Sequence, residues 1–177
     1  MEEYYKEYFK LFRDKAPKNM VEWGGYQKGE PTGMASSYES CMAFYEYIKD
    51  KNSSLLDAGA GVSTWMFRKL LKNVTSTDPD KDYLKVVKDI VGGDLYITGI
   101  ENCSEYDYVY WDYGNWQRIP TMHIGLNKCK KGMYIDDCHD REVLEYATKL
   151  AESNNCKIIQ TNSLDNYGRY GIILEKQ

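Results

Sequence analysis

Four short apolar or β-prone runs in this sequence end in carboxylates. Asp57 follows Ser54-Leu55-Leu56, and Asp78 follows Val74-Thr75-Ser76-Thr77. Asp112 follows Tyr106–Trp111, and the pair Asp136-Asp137 follows Gly132–Ile135. Carboxylates accept hydrogen bonds from hydroxyls, hold hard cations and take up protons. In an open α/β sheet, ligands bind beyond the carboxyl ends of the strands, so acids at those ends converge on one mouth. Any single one also suits a helix cap or a turn. Asp57 has the most telling surroundings: Asp57-Ala58-Gly59-Ala60-Gly61-Val62-Ser63-Thr64, then the apolar helical run Trp65–Leu71. The glycines allow a ligand close to the backbone, and the helix start offers free N–H groups and a positive dipole end. Gly-x-Gly alone also serves ordinary tight turns. A dinucleotide fingerprint wants a third glycine where Thr64 stands, and an apolar residue where Asp57 stands.

Strands alternating with helices must position these acids. Ser54, Val74, Leu95, Tyr106, Gly132, Lys157 and Tyr170 open seven predicted strands. Lys81–Val91, closed by Gly92-Gly93, and Arg141–Ser153 read as helices, with another over Gln117–Cys129 after Pro120. The pattern predicts an α/β fold: a Rossmann-like doubly wound sheet, mostly parallel, with an antiparallel last strand and helices on both faces. The last two strands lie too close for a crossover helix and are expected to pair antiparallel. Upstream, Met1–Arg13 reads as an amphipathic helix ended by Pro17 and Asn19, and Ser36–Ile48 as a serine-capped one. The Gly- and Pro-rich Trp23–Ser37 stretch between them is long enough to be a functional loop. Residues 1–50 are therefore expected to be helices and a substrate or lid loop packed on a core domain of residues 51–177.

Composition narrows the function classes. With 177 residues, 42% hydrophobic and 28% charged, the chain suits one globular domain. Its 17 tyrosines against 4 phenylalanines predict a core of aromatics with polar tips. A net charge of −4 with interspersed signs gives no strong nucleic-acid footprint. Lys128-Cys129-Lys130-Lys131 is expected to be a solvated helix end. No long apolar run or leader is read, and five scattered cysteines fit reduced thiols, so a cytoplasmic location without membrane association is expected.

Acid-x-Gly-x-Gly at a strand end resembles motif I of the class I S-adenosylmethionine (SAM) methyltransferases. Asp78, twenty-one residues after Asp57, resembles their motif II, whose acid receives both ribose hydroxyls of SAM. The resemblance covers roughly Leu55 to Leu174. It implies SAM as cofactor, contacted by Asp57, Ala58, Gly59, Gly61, Ser63, Thr64 and Asp78. The adenine is expected near Gly99–Cys103, with Asn102 as one contact. Asp80 is read as the cap of the next helix.

Asp112, Asp136 and Asp137 match the positions at which small O-methyltransferases similar to catechol O-methyltransferase hold a divalent cation. Mg²⁺ bound there would acidify an acceptor hydroxyl. Trp111-Asp112-Tyr113-Gly114-Asn115-Trp116 lacks the prolines of the amino-methyltransferases of DNA bases. His139 is the general-base candidate without a metal, alongside Asp112 and Asp137, and is otherwise a capping or surface histidine. Tyr26, Tyr113 and Trp116 are candidate walls of the acceptor pocket. The expected activity is methyl transfer to an oxygen of a small-molecule acceptor. Two alternatives stay open. One is a same-fold enzyme acting on nucleic acid or protein, or using SAM without methyl transfer. The other is a non-catalytic SAM-binding or interaction scaffold.

Overall fold

The computed structural model describes residues 1–18, 26–27, 30–31, 35–114 and 116–177, with backbone alone at 26, 27, 30 and 31. In chain order the elements are α1 (Glu2–Lys15), the two-residue strands β1 (Tyr26–Gln27) and β2 (Glu30–Pro31), α2 (Tyr38–Tyr47), β3 (Ser54–Ala58), α3 (Val62–Leu70) and β4 (Asn73–Asp78). There follow α4 (Lys81–Val91), β5 (Tyr96–Thr98), a 3₁₀ turn (Ile100–Asn102), β6 (Tyr106–Trp111), α5 (Arg118–Lys128), β7 (Cys129–Ile135), α6 (Arg141–Ser153), β8 (Cys156–Gln160) and β9 (Ile172–Lys176). The candidate wall Tyr26 and most of the expected 23–37 loop have side chains outside the described residues.

Seven strands form one sheet in the order β5-β4-β3-β6-β7-β9-β8. β5, β4, β3, β6 and β7 pair in parallel, whereas β9 runs antiparallel to both β7 and β8. The Rossmann-like, mostly parallel sheet is therefore as expected. The order reverses direction at β3, whose neighbours are β4 and β6, and it is outside such a reversal that a crevice opens.

Side-chain chemistry explains the element boundaries. Ser37 caps α2 by accepting the Ser40 N–H, Asp80 caps α4 from Asp82 and Tyr83, and Asp140 caps α6 from Glu142. One boundary differs from expectation. Lys128 ends α5, but Cys129, Lys130 and Lys131 already belong to β7. The two lysines are the exposed start of a strand that becomes fully buried from Gly132 onward, so a basic cluster that reads as solvent-facing suits either element.

The two faces of the sheet are packed differently. One carries α1, α2, α3 and α4 over a largely aromatic core containing Tyr8, Phe9, Phe12, Phe44, Phe67, Tyr108, Tyr110 and Tyr134. Tyr110 and Tyr134, neighbours on β6 and β7, stack with centroids 4.8 Å apart and planes 4° from parallel. Phe67 meets Tyr110 edge-on at 5.0 Å. The other face packs α5 and α6 against Leu56, Val109, Trp111, Met133 and Leu174. α1 belongs to the core: the Trp65 indole N–H donates to the Tyr4 carbonyl at 2.8 Å, and Tyr8 lies against Trp65.

Candidate active site

The glycine turn is built by what surrounds it. Gly59 has φ +100°, and a Cβ there would come within 2.1 Å of the Asp112 carbonyl oxygen, so only glycine lets the turn close on the end of β6. The Gly59 and Ala60 N–H groups donate to the Thr77 carbonyl at 2.9 and 3.2 Å, tying the turn to β4 as well. Thr64 replaces the third glycine of a dinucleotide motif and does different work. Its Oγ1 accepts the Gly61 N–H at 3.1 Å, and its hydroxyl donates to Asp57.

Asp57 itself is fully buried, and the Ser63 hydroxyl donates to it at 2.7 Å. Burial pushes its pKa up to about 6, against the hydroxyls of Thr64 and Ser63, which favour the ionised form. Its carboxylate lies behind the turn and braces the first turn of α3. The surface presented outward is that of Gly59–Ser63.

Above this turn is a cleft of about 810 Å³, lined by Gly59, Gly61, Ser63, Asp78, Asp112 and Arg118 among others. That volume falls within the range of small-molecule sites. Asp78 lies on its wall, 8% exposed, with one carboxylate oxygen accepting the Asp80 N–H at 2.9 Å. Burial raises its pKa to about 7, and the charges of Asp80 and Asp57 add to the rise. Tyr83 from α4 closes one side, its hydroxyl 3.4 Å from where a Gly61 Cβ would be. Trp116 stands at the rim, 82% exposed.

The Asp112 end of the cleft differs from expectation. Arg118, the first residue of α5, reaches between two strand ends, its Nη2 donating to Asp112 Oδ1 and its Nη1 to Asp137 Oδ2. The other Asp112 oxygen accepts the Ser36 hydroxyl at 2.7 Å. Asp136 turns into the core, accepting from Ser40 at 3.0 Å and Tyr110 at 3.4 Å. Burial raises the pKa of both Asp112 and Asp136. Burial also opposes charge on Arg118, but Asp112 and Asp137 more than offset it.

These residues do not fit the expected Mg²⁺ site. A guanidinium already bridges two of the three acids, the third faces elsewhere, and no cluster suited to a metal occurs among the described residues. Mg²⁺ needs open carboxylate oxygens in near-octahedral array, which this arrangement denies it.

No protein-family model matches the sequence, and no curated protein does. Solved structures match the fold. Magnesium protoporphyrin IX methyltransferase (ChlM) from Synechocystis PCC 6803, with bound SAM, superposes with TM-score 0.68 at 11% identity, over 96% of this chain and 97% of that one. The O-methyltransferase from Bacillus cereus, in complex with SAH, gives 0.64 at 13% identity over 97% and 90%. The chain has the fold of the class I methyltransferases. Trm5b from Pyrococcus abyssi gives 0.54 at 12% identity over 76% of this chain, which spans only 46% of that protein.

In this methyltransferase-like fold the expected site residues separate into three groups. Gly59, Gly61, Ser63, Asp78 and Asp112 line the cleft. Asp57, Ala58 and Thr64 are fully buried behind it. Asn102, Asp136, Asp137 and His139 lie outside its lining. The Asn102 amide donates to the Thr98 carbonyl at 2.8 Å, and exposed His139 has Nδ1 3.7 Å from Asp137 Oδ1. Tyr113 is no pocket wall: it is 1% exposed and bonds the Ile100 N–H. Sequence reasoning missed Ser36, Tyr83 and Arg118. For Arg118 a signal existed, since it is the first cation after Asp112.

Proposed function

We propose that the chain binds S-adenosylmethionine in this cleft and transfers its methyl group to an oxygen of a small-molecule acceptor. The observation that carries this is the cleft itself, at the carboxyl edge of the sheet, with the Gly59–Ser63 backbone on one side and Asp78 on the other. The backbone of the turn and the start of α3 would hold the amino-acid end. Asp78, purely an acceptor when ionised, would take the two ribose hydroxyls. When bound, the cofactor supplies an electrophilic methyl on a good leaving centre. The ChlM and B. cereus structures, solved with SAM and SAH, support that choice of ligand.

Within the cleft the chain's own work is placement. Asp112 faces the acceptor and receives a hydrogen bond from its hydroxyl, while Ser36 and Arg118 fix the carboxylate. Trp116 offers a flat apolar face at the rim. Asp137 contributes by holding Arg118, with His139 as its exposed neighbour. Orientation of this kind supplies much of the acceleration when the leaving centre is already good. The O-directed reading draws its support from the O-methyltransferase neighbour and from acids that can accept a hydroxyl proton.

Calorimetry with SAM and its demethylated product is the direct test. Binding of either is expected, and Asp78→Ala should weaken it by roughly tenfold or more, about 1.4 kcal/mol, with the fold intact. No heat with either ligand would sink the proposal. Product release with a panel of hydroxylated small molecules then reads the transfer itself.

A further inference from the structure

Asp112 and Asp137 end adjacent parallel strands and would repel each other across the mouth. Arg118 sits between them. Its side chain is 9% exposed, and those of Asp112 and Asp137 are 14% and 23% exposed, so all three charges are largely withdrawn from water. The arginine is anchored from behind, because the Trp111 indole N–H donates to its carbonyl at 3.2 Å and its own N–H reaches the Gly114 carbonyl at 2.9 Å. Its guanidinium therefore projects from the first turn of α5 into a fixed gap between two strand ends. A guanidinium is not deprotonated in proteins, and its planar fork suits two carboxylates at once.

The geometry points to Arg118 as a built-in cation that fills and closes a divalent-cation site. Asp112 and Asp137 are the two acids it occupies, and removal of the guanidinium alone would leave both free to take an ion. With Arg118 present, a metal entering between Asp112 and Asp137 must displace a buried, doubly paired arginine into a poorer environment, which costs more than the ion returns. With Arg118 gone, two carboxylates face one gap without compensation, and a hard divalent cation is their natural partner. The acceptor end is accordingly cation-independent in the natural chain. Only the last statement rests on the proposed methyl transfer; the closed site rests on side-chain positions and is testable with no cofactor or acceptor present.

Mn²⁺ is the probe, read by electron paramagnetic resonance and by its effect on thermal unfolding. The natural chain is expected to take up no Mn²⁺ at submillimolar concentration and to unfold at a temperature unmoved by Mn²⁺. Arg118→Met, which keeps the aliphatic packing, should bind one Mn²⁺ at least roughly tenfold tighter and be stabilised by it. Adding Asp137→Asn to that variant should abolish the gain. Arg118→Lys, which keeps a positive charge, should stay as closed to Mn²⁺ as the natural chain. Tight Mn²⁺ binding by the natural chain that is lost in Asp137→Asn overturns the inference. So does a folded Arg118→Met chain with no gained affinity. If Arg118→Met does not fold, Arg118→Gln takes its place with the same expected gain, and its folded chain without gained affinity, or Mn²⁺ uptake at the Asp137 position by the natural chain or Arg118→Lys, refutes a closed site.

Discussion

Asp78 and Asp57 show how a single buried acid sets opposing pH trends. Their pKa values rise from 3.8 to about 7 and about 6 because burial penalises the charged forms. Between roughly pH 4 and 7 the folded chain thus binds more protons at these sites than the unfolded chain does. Their contribution to stability is full below the unfolded value and is lost as pH rises through the folded one. The ligand-free protein should melt at a higher temperature near pH 5 than at pH 8, and Asp78→Asn should flatten part of that slope in a scan of melting temperature against pH. Cofactor affinity should run the other way. Protonation removes an acceptor from the ribose hydroxyls, so binding weakens as pH falls below about 7. Titration calorimetry across the range checks this, and a flat affinity would remove Asp78 from the ribose role.

At the scale of elements, the turn between β3 and α3 is a junction of three strands. Gly59 meets the end of β6 at Asp112, while its N–H and that of Ala60 reach β4 at Thr77. Gly59→Ala would force a methyl into the Asp112 carbonyl at a backbone angle that L-residues avoid. The expected cost is about 3 kcal/mol, read as a lower urea midpoint at unchanged slope. This turn was legible in the sequence because its parts are contiguous: strand, acid, glycines and helix follow in order. The strand ends were legible for the same reason. The partners of those acids were not. Ser36 reaches Asp112 across 76 residues and Ser40 reaches Asp136 across 96, and no local pattern encodes such pairings. Asp112, Asp136 and Asp137 match the positions of a metal site in the sequence, but Asp136 bonds Ser40 and Tyr110 whereas Asp137 pairs with Arg118, and position alone does not encode those partners.

Across the whole molecule, the N-terminal helices are part of the body that holds the site. Tyr8, Phe9 and Phe12 of α1 are at most 1% exposed, and Phe12 approaches Tyr83 of the cleft wall, centroids 6.0 Å apart. Phe12→Ala should therefore cost about 3–5 kcal/mol in urea unfolding. A segment that merely closed over the mouth would lose almost nothing. The tyrosine excess finds its explanation at this scale too. Tyr110 and Tyr134 stack beneath α2, Tyr108 meets Phe44 and Tyr47 of that helix edge-on, and the Tyr110 hydroxyl touches Asp136, joining the core to the acidic strand ends. The sequence shows the aromatic bias, but not which rings meet, since that depends on the register between β6 and β7.

The position of β9 has a bearing on how the chain acquires its shape. β8 is made before β9, yet it touches the rest of the sheet only through β9. As the polypeptide leaves the ribosome, the outer edge of β7 stays open until Ile172–Lys176 have emerged. The β8–β9 pair, local in sequence, can zip early, but docking on β7 joins residues about forty apart and is the slower event. Until then Tyr134 and Ile135 border an unpaired strand edge, a surface on which the backbone of another chain can add.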